Sequence, residues 1–225
     1  MADAAVIFDV DGVLLDLTPA EEDAFFWPFA RLHRLDGLSR DWDSYRVRND
    51  EDIIAEILEN RFGRKPTPAE HKAVVSAYLG HLAKNIASKR LRPSPIEGAS
   101  RLIAALRTRS RLGLATANLI EAAALRLAAC AMWEPVKKHA FGADGGGAKR
   151  QILARAIAAL DLPRERIVFI GDNLNDVEAG LANSVHFIGF SRDRAQSRRL
   201  AEAGAQLVCN HHEDTLKHIE DVLRL

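Results

Sequence analysis

The chain has 225 residues, enough to bury a substantial core in one domain or in one domain carrying an insertion. Lys plus Arg and Asp plus Glu both number 31, so no overall charge draws the protein to nucleic acid or to an anionic membrane. Cys130 and Cys209 lack metal-type spacing and argue against a disulfide framework, no apolar stretch reaches the ~20 residues of a transmembrane helix, and the N-terminus lacks the pattern of a secretory leader, so a reducing cytoplasm is the expected setting.

The first element is an apolar strand, Val6-Ile7-Phe8, that runs into Asp9-Val10-Asp11-Gly12-Val13. Residues two apart on a strand face the same way, which puts Asp9 and Asp11 on one side of the strand's end and Val10 on the other. Gly12 allows a sharp turn or a close approach to a ligand. Alone, such a pair also ends many strands in an ordinary turn.

From residue 17 to about 90 the pattern is helical, with no convincing strand. Phe25, Phe26, Trp27 and Phe29 read as packing residues, one of which is available to line a pocket. Arg46, Arg48 and Asn49 precede a helix whose apolar stripe is Ile53, Ile54, Ile57 and Leu58; they read as solvated polar residues that are also usable anion or sugar ligands. Pro66-Thr67-Pro68 leads into a helix predicted over 69–88, and Arg92-Pro93-Ser94-Pro95 fits a hinge.

Beyond residue 95 strand and helix alternate. The pattern predicts helix 97–109, strand 111–116, helix 119–131, helix 149–160, strand 166–171, helix 174–183, strand 184–189, a strand near 206–209 and helix 213–224. Such alternation argues for a parallel sheet with helices on both faces. Gly145-Gly146-Gly147 lacks the Gly-Lys-Ser/Thr ending of a nucleotide P-loop and reads as a flexible connection, and His211-His212 reads as a surface pair rather than a metal site.

The strand 166–171 ends in a second acid, Asp172, with Asp176 four residues on, a spacing that keeps both carboxylates near the first turn of the following helix. Two strands ending in acids can meet at one edge of a parallel sheet, where open α/β folds place their ligands. Converging carboxylates repel unless a cation lies between them, and such oxygen ligands suit Mg²⁺.

With Asp9-Val10-Asp11-Gly12-Val13, Leu112-Gly113-Leu114-Ala115-Thr116-Ala117-Asn118, Gly147-Ala148-Lys149-Arg150 and Gly171-Asp172-Asn173-Leu174-Asn175-Asp176 in this order, the chain resembles the haloacid dehalogenase superfamily over essentially its whole length. The resemblance implies a doubly wound parallel α/β core over 1–16 and 91–225 and a small inserted α-helical cap domain over 17–90, as in the phosphatase and mutase members. It implies Asp9 as nucleophile and Asp11 as acid and base, the latter with a pKa raised by its acidic neighbours. Thr116, Ala117, Asn118 and Lys149 become substrate-binding residues, with Thr116 and Lys149 aiding catalysis, and Asp9, Asp11, Asp172 and Asp176 become the Mg²⁺ site, Asp176 either as ligand or as a partner of the ligands. Lys149 is preferred to Arg150 as the basic residue. Val13 departs from the family's more frequent Thr and Asp16-Leu17 from a common hydroxyl residue, neither of them a catalytic group. The implied reaction is hydrolysis of a small phosphorylated metabolite, a sugar phosphate or phosphoglycolate, by a monomer or homodimer. A phosphomutase of the same superfamily and a non-catalytic phosphometabolite-binding or regulatory protein stand as alternatives.

Overall fold

The structure is a computed structural model describing residues 3–225. In chain order it contains β1 (Ala5–Phe8), β2 (Leu15–Asp16), α1 (Pro19–His33), α2 (Asp50–Phe62), α3 (Pro68–Ala87), β3 (Ser94–Pro95), α4 (Ala99–Leu106), β4 (Arg111–Ala115) and α5 (Ile120–Ala129). There follow α6 (Trp133–Val136), β5 (His139–Phe141), α7 (Lys149–Leu160), β6 (Ile167–Gly171), α8 (Leu174–Ala182), β7 (His186–Phe190), α9 (Arg194–Glu202), β8 (Val208–Cys209) and α10 (His212–Leu223).

Six strands form one parallel sheet in the order β5-β4-β1-β6-β7-β8. From β1 the chain winds outward through β4 to β5, then crosses back to β6 and winds the other way. The switch in direction falls between β1 and β6, and there the ends of these two strands leave a crevice. The strands read as apolar runs because both faces are covered. Val6 and Phe8 of β1 join Leu102, Ile103 and Leu106 of α4 and Ile219 and Leu223 of α10 in one layer. Ala5 and Ile7 face Ile152, Leu153 and Ala156 of α7 in the other. Burying a side chain such as Phe8 or Ile7 completely stabilises the fold by about 1.5–3 kcal/mol each, so this two-sided core fixes the strand ends.

A two-stranded antiparallel ribbon pairs Leu15 with Pro95 and Asp16 with Ser94, and the three helices α1 to α3 lie between its strands in sequence. These helices have an apolar cluster of their own, including Phe25, Phe29, Ile54, Leu58, Val74 and Leu82, which also takes in Leu119 and Ala122 from the start of α5. Both α1 and α3 begin with a capping box, Thr18 with Glu21 and Thr67 with Glu70, each followed by Pro at the first helical position. Such a cap contributes about 1 kcal/mol and sharply sets where the helix starts.

The alternating elements and the helical segment follow the sequence pattern closely, and the predicted helix 149–160 is found over those residues. The sequence pattern leaves out β5, a three-residue edge strand whose side chains are all half-buried, and α9, whose only buried residue is Leu200. Neither has enough apolar residues to show a period. His212 corrects the reading of a surface histidine pair: it is buried, stacks on Phe190 at 4.2 Å, and its Nε2 lies 2.9 Å from the Val13 carbonyl. Both cysteines are free, and among the described residues no helix is long and apolar enough to cross a membrane.

Candidate active site

Asp9 leaves β1 at the switch point, its N–H bonded to the Ile170 carbonyl of β6 at 2.9 Å. Extending the alternation of β1, it leans toward the α7 layer, and Lys149, the first residue of α7, meets it there with Nζ at 2.7 Å from Asp9 Oδ2. The same ammonium is 2.7 Å from Asp176 Oδ1. The Oδ2 of Asp176 accepts the N–H groups of Asp172 and Asn173 and so caps α8. Lys149 and Asp176 are both buried, whereas Arg150 turns outward to Glu178.

Gly12 brings Asp172 into the cluster. Its φ is +73°, and a Cβ there would stand 2.0 Å from Asp172 Oδ2. Gly171 is equally constrained, since a Cβ would meet that of Asp176 at 2.3 Å. Carboxylate oxygens of Asp9, Asp172 and Asp176 consequently lie within 4.8 Å of one another. Burial, opposed by Lys149 and reinforced by Asp176, pushes Asp9 up to about 7. Burial, then Asp176 and Asp9, hold Asp172 well above the usual carboxylate range. Burial alone would lower the Lys149 ammonium, but Asp176 and Asp9 override it and hold it above its usual value.

These shifts describe a site short of positive charge. Two of the three carboxylates, Asp9 and Asp176, share one lysine, and Asp172 has no cationic side chain as ion-pair partner among the described residues. Close oxygen donors in charge excess are a donor set for a hard divalent cation such as Mg²⁺, so the residues fit the ion that the sequence implies.

Asp11 points away from this cluster, toward the inserted helices. Its Oδ1 accepts from Arg126 Nη2 at 2.5 Å and its Oδ2 from Asn118 Nδ2 at 2.7 Å. The pKa expected from its acidic neighbours is corrected here: burial acts upward, but Arg126 and then Asn118 outweigh it and lower the Asp11 carboxyl. Thr116 is buried at the end of β4, and its Oγ1 accepts from the N–H and side-chain amide of Asn118. The Ala117 carbonyl accepts the Asp50 N–H, and Asp50 Oδ2 accepts the Leu119 N–H at 2.8 Å. Burial, weakened by that N–H and strengthened by Asp11, pushes Asp50 up to about 7.

The start of α2 is therefore bonded to the loop that follows Thr116. It also holds the loop that precedes Lys149: Asn49 Nδ2 donates to the Gly147 carbonyl at 3.0 Å, and the Gly147 N–H donates to Asp52 Oδ2 at 2.9 Å. The glycine run is docked here. Between α1, α2 and the sheet edge remains a cavity of about 100 Å³ lined by Asp9, Asp11, Asn118, Lys149 and Asp172 on one side and by Glu22, Phe25, Trp42, Arg48, Asp50 and Tyr78 on the other. Of the polar residues preceding α2, Arg48 and Asn49 reach this cavity, while Arg46 pairs with Glu56 and Glu59 elsewhere. Glu21, Asp50 and Arg126 are the site residues that sequence patterns leave unmarked. The signal for Arg126 was a charge on the buried face of an Ala- and Leu-rich helix, and for Glu21 the Thr18-x-x-Glu21 capping box.

Acids from two adjacent strand ends, gathered at the switch point of a doubly wound sheet, define an α/β enzyme whose chemistry happens at the carboxyl edge of the sheet. Comparison with known families makes that class specific. Residues 4–183 match the haloacid dehalogenase-like hydrolases, and the chain belongs to that family. In overall structure it is similar to CbbY from Rhodobacter sphaeroides in complex with phosphate, at 23% identity across all of both chains with a TM-score of 0.75. A variant of CbbY in complex with xylulose-1,5-bisphosphate is 22% identical, covering 94% of this chain and 95% of that one with a TM-score of 0.72. A haloacid dehalogenase-like hydrolase from Streptococcus pneumoniae is 16% identical, covering 96% and 97%, with a TM-score of 0.65. No functionally curated protein matches the chain in sequence.

Proposed function

We propose that the protein is a Mg²⁺-dependent phosphatase that hydrolyses a small phosphorylated metabolite, of the sugar-phosphate or phosphoglycolate type, through an aspartyl phosphate on Asp9. The observation that carries this reading is the position of Asp9: a buried carboxylate at the switch point, 2.7 Å from Lys149, opening on a cavity that the inserted helices line. The cap of this reading comprises residues 17–90, and the core residues 1–16 and 91–225. That a CbbY variant holds a sugar bisphosphate and CbbY itself phosphate supports a substrate of this chemistry.

Asp9, the Asp11 carbonyl and Asp172 would hold the cation, with Asp176 positioning Lys149 and the first turn of α8 rather than acting alone as a ligand. When bound, the cation supplies the positive charge that keeps Asp9 ionised and offsets its repulsion from the phosphate dianion. Asp9 attacks phosphorus, and the leaving alcohol departs with a proton from Asp11, whose carboxyl is held low by Arg126 and Asn118 in the free site and takes up that proton as the incoming phosphate dianion raises it. Lys149, the Thr116 hydroxyl and the Ala117 N–H bind the phosphoryl oxygens as charge shifts onto them, with Asn118 holding the Thr116 oxygen in place. Asp11 then deprotonates the water that hydrolyses the aspartyl phosphate. By lining the cavity, α1 and α2 would limit the access of other water during the first step.

Phosphate release from a broad panel of esters with Mg²⁺, compared between the intact protein and Asp9→Asn, tests the reading. Release by the intact protein alone agrees with it. Absence of release from well-folded, Mg²⁺-supplied protein overturns it and moves the assignment to a phosphomutase or a binding protein.

A further inference from the structure

Arg126 is the largest side chain that the fold encloses completely, with 1% of its surface exposed. It sits on α5 among alanines and leucines, where burying a guanidinium costs several kcal/mol unless each N–H group finds an acceptor. It finds three, from three separate segments. Nη2 donates to Asp11 at 2.5 Å, Nε to Glu21 Oε1 at 2.6 Å, and Nη1 to Asn118 Oδ1 at 3.1 Å. Asn118 in turn donates to the second oxygen of Asp11, so both oxygens of that carboxylate are held and its plane is set by two partners at once.

The third partner extends the arrangement into the inserted helices. Glu21 lies in the first turn of α1, and its Oε2 accepts both the N–H and the hydroxyl of Thr18, at 2.8 and 2.7 Å. Glu21 cannot swing away from Arg126 without opening the cap of its own helix. Thr18 stands two residues beyond β2, where the chain enters the insertion. A continuous series of bonds therefore runs from that entry point through Glu21 and Arg126 to Asp11.

Stability alone does not call for this group. A buried ion triad is often replaced by apolar residues of similar volume at no loss, so an arginine fixed between an acid of the insertion and an acid of the cavity points to a use at the cavity. We propose that Arg126 is the positioning residue for Asp11, held in register by Glu21, so that the orientation of the Asp11 carboxyl depends on how the helical insertion enters the core. The inference rests on the phosphatase reading, in which Asp11 delivers a proton to the leaving alcohol.

The test uses two esters that differ in their need for that proton. Glycerol phosphate releases an alkoxide and requires it, whereas p-nitrophenyl phosphate releases a stabilised phenolate and does not. Because kcat/KM measures transition-state stabilisation relative to free enzyme and ester, the ratio between the two esters is independent of how much of a variant is folded. Arg126→Met is expected to lose about 100-fold in kcat/KM on glycerol phosphate and less than about tenfold on p-nitrophenyl phosphate, the size of one misplaced general acid. Glu21→Gln is expected to shift the ratio in the same direction by a smaller factor. Arg126→Lys keeps the charge but cannot serve three acceptors in the plane of a guanidinium, so it should show the selective loss as well. Equal losses on both esters in these variants, or an unchanged ratio, would overturn the proposal. Should Arg126→Met fail to fold, as judged by circular dichroism, Arg126→Lys and Glu21→Gln decide it by the same criterion. Intact protein that releases phosphate from no ester of the broad panel, with Mg²⁺ present, overturns the phosphatase reading, and this inference falls with it.

Discussion

Replacing Gly12 by Ala tests how closely the loop after β1 must approach Asp172. The residue has φ +73°, and the added Cβ would stand 2.0 Å from Asp172 Oδ2, where ordinary contact begins at 3.4 Å. Either Asp172 retreats by about 1.4 Å or the loop carrying Asp9 and Asp11 does, and a displacement of about 1 Å at reacting groups costs on the order of 100-fold in rate. The left-handed conformation costs an alanine about 1–2 kcal/mol, which for a chain of this size lowers the melting temperature by about 2–8 °C. Gly12→Ala should thus remain folded at 25 °C while kcat/KM for its best ester falls about 100-fold and Mg²⁺ binds more weakly. Calorimetric melting, Mg²⁺ titration and phosphate release on one preparation measure all three. Activity within about threefold of the intact protein, with Mg²⁺ affinity unchanged, would refute the argument that this contact sets the geometry of the site.

Three further outcomes follow from the same charges. Lys149→Met leaves the Asp9 and Asp176 carboxylates buried without their shared cation, so chemical denaturation should show a loss of about 3–5 kcal/mol, together with loss of phosphate release. Saturating Mg²⁺ should raise the melting temperature of the intact protein, by about 2.7 kcal/mol of added stability at 100 times its Kd, and Asp172→Asn should remove most of that rise. Asp50 has a folded pKa of about 7 against an ordinary 3.8, so the folded state holds its proton more tightly than the unfolded chain. Its contribution to stability is complete below the unfolded value and is lost as pH rises through about 7. In metal-free buffer the fall in melting temperature between acidic and mildly basic pH should therefore be smaller for Asp50→Asn than for the intact protein.

Much of this site was legible because its parts are local. An apolar strand that ends in acids, as β1 and β6 do, announces itself within ten residues, and the amphipathic period of α7 placed Lys149 at a helix start. What remained hidden depends on groups distant in sequence. Arg126 and Glu21 lie 105 positions apart, and nothing in either neighbourhood specifies the other. The lowered pKa of Asp11 follows from its own pairing with Arg126, 115 positions away, and with Asn118, which is why its acidic neighbours alone suggested the opposite direction. The hold of α2 on both loops is equally non-local, since Asp50 reaches Leu119 and Asp52 reaches Gly147. The two-residue strands β2 and β3 escaped because a ribbon that short has no period to read. His212 was misplaced because two adjacent histidines at a helix start carry no sign of which one turns inward.

The central claim is a covalent bond between phosphorus and Asp9, and the most direct measurement is mass spectrometry of acid-quenched protein taken during turnover with Mg²⁺ and its best ester. The account predicts a phosphoryl group on the peptide containing Asp9, absent from Asp9→Asn, and a rate of disappearance that matches or exceeds turnover. Steady turnover without any phosphoryl group on that peptide, or turnover by Asp9→Asn at the rate of the intact protein, would contradict it.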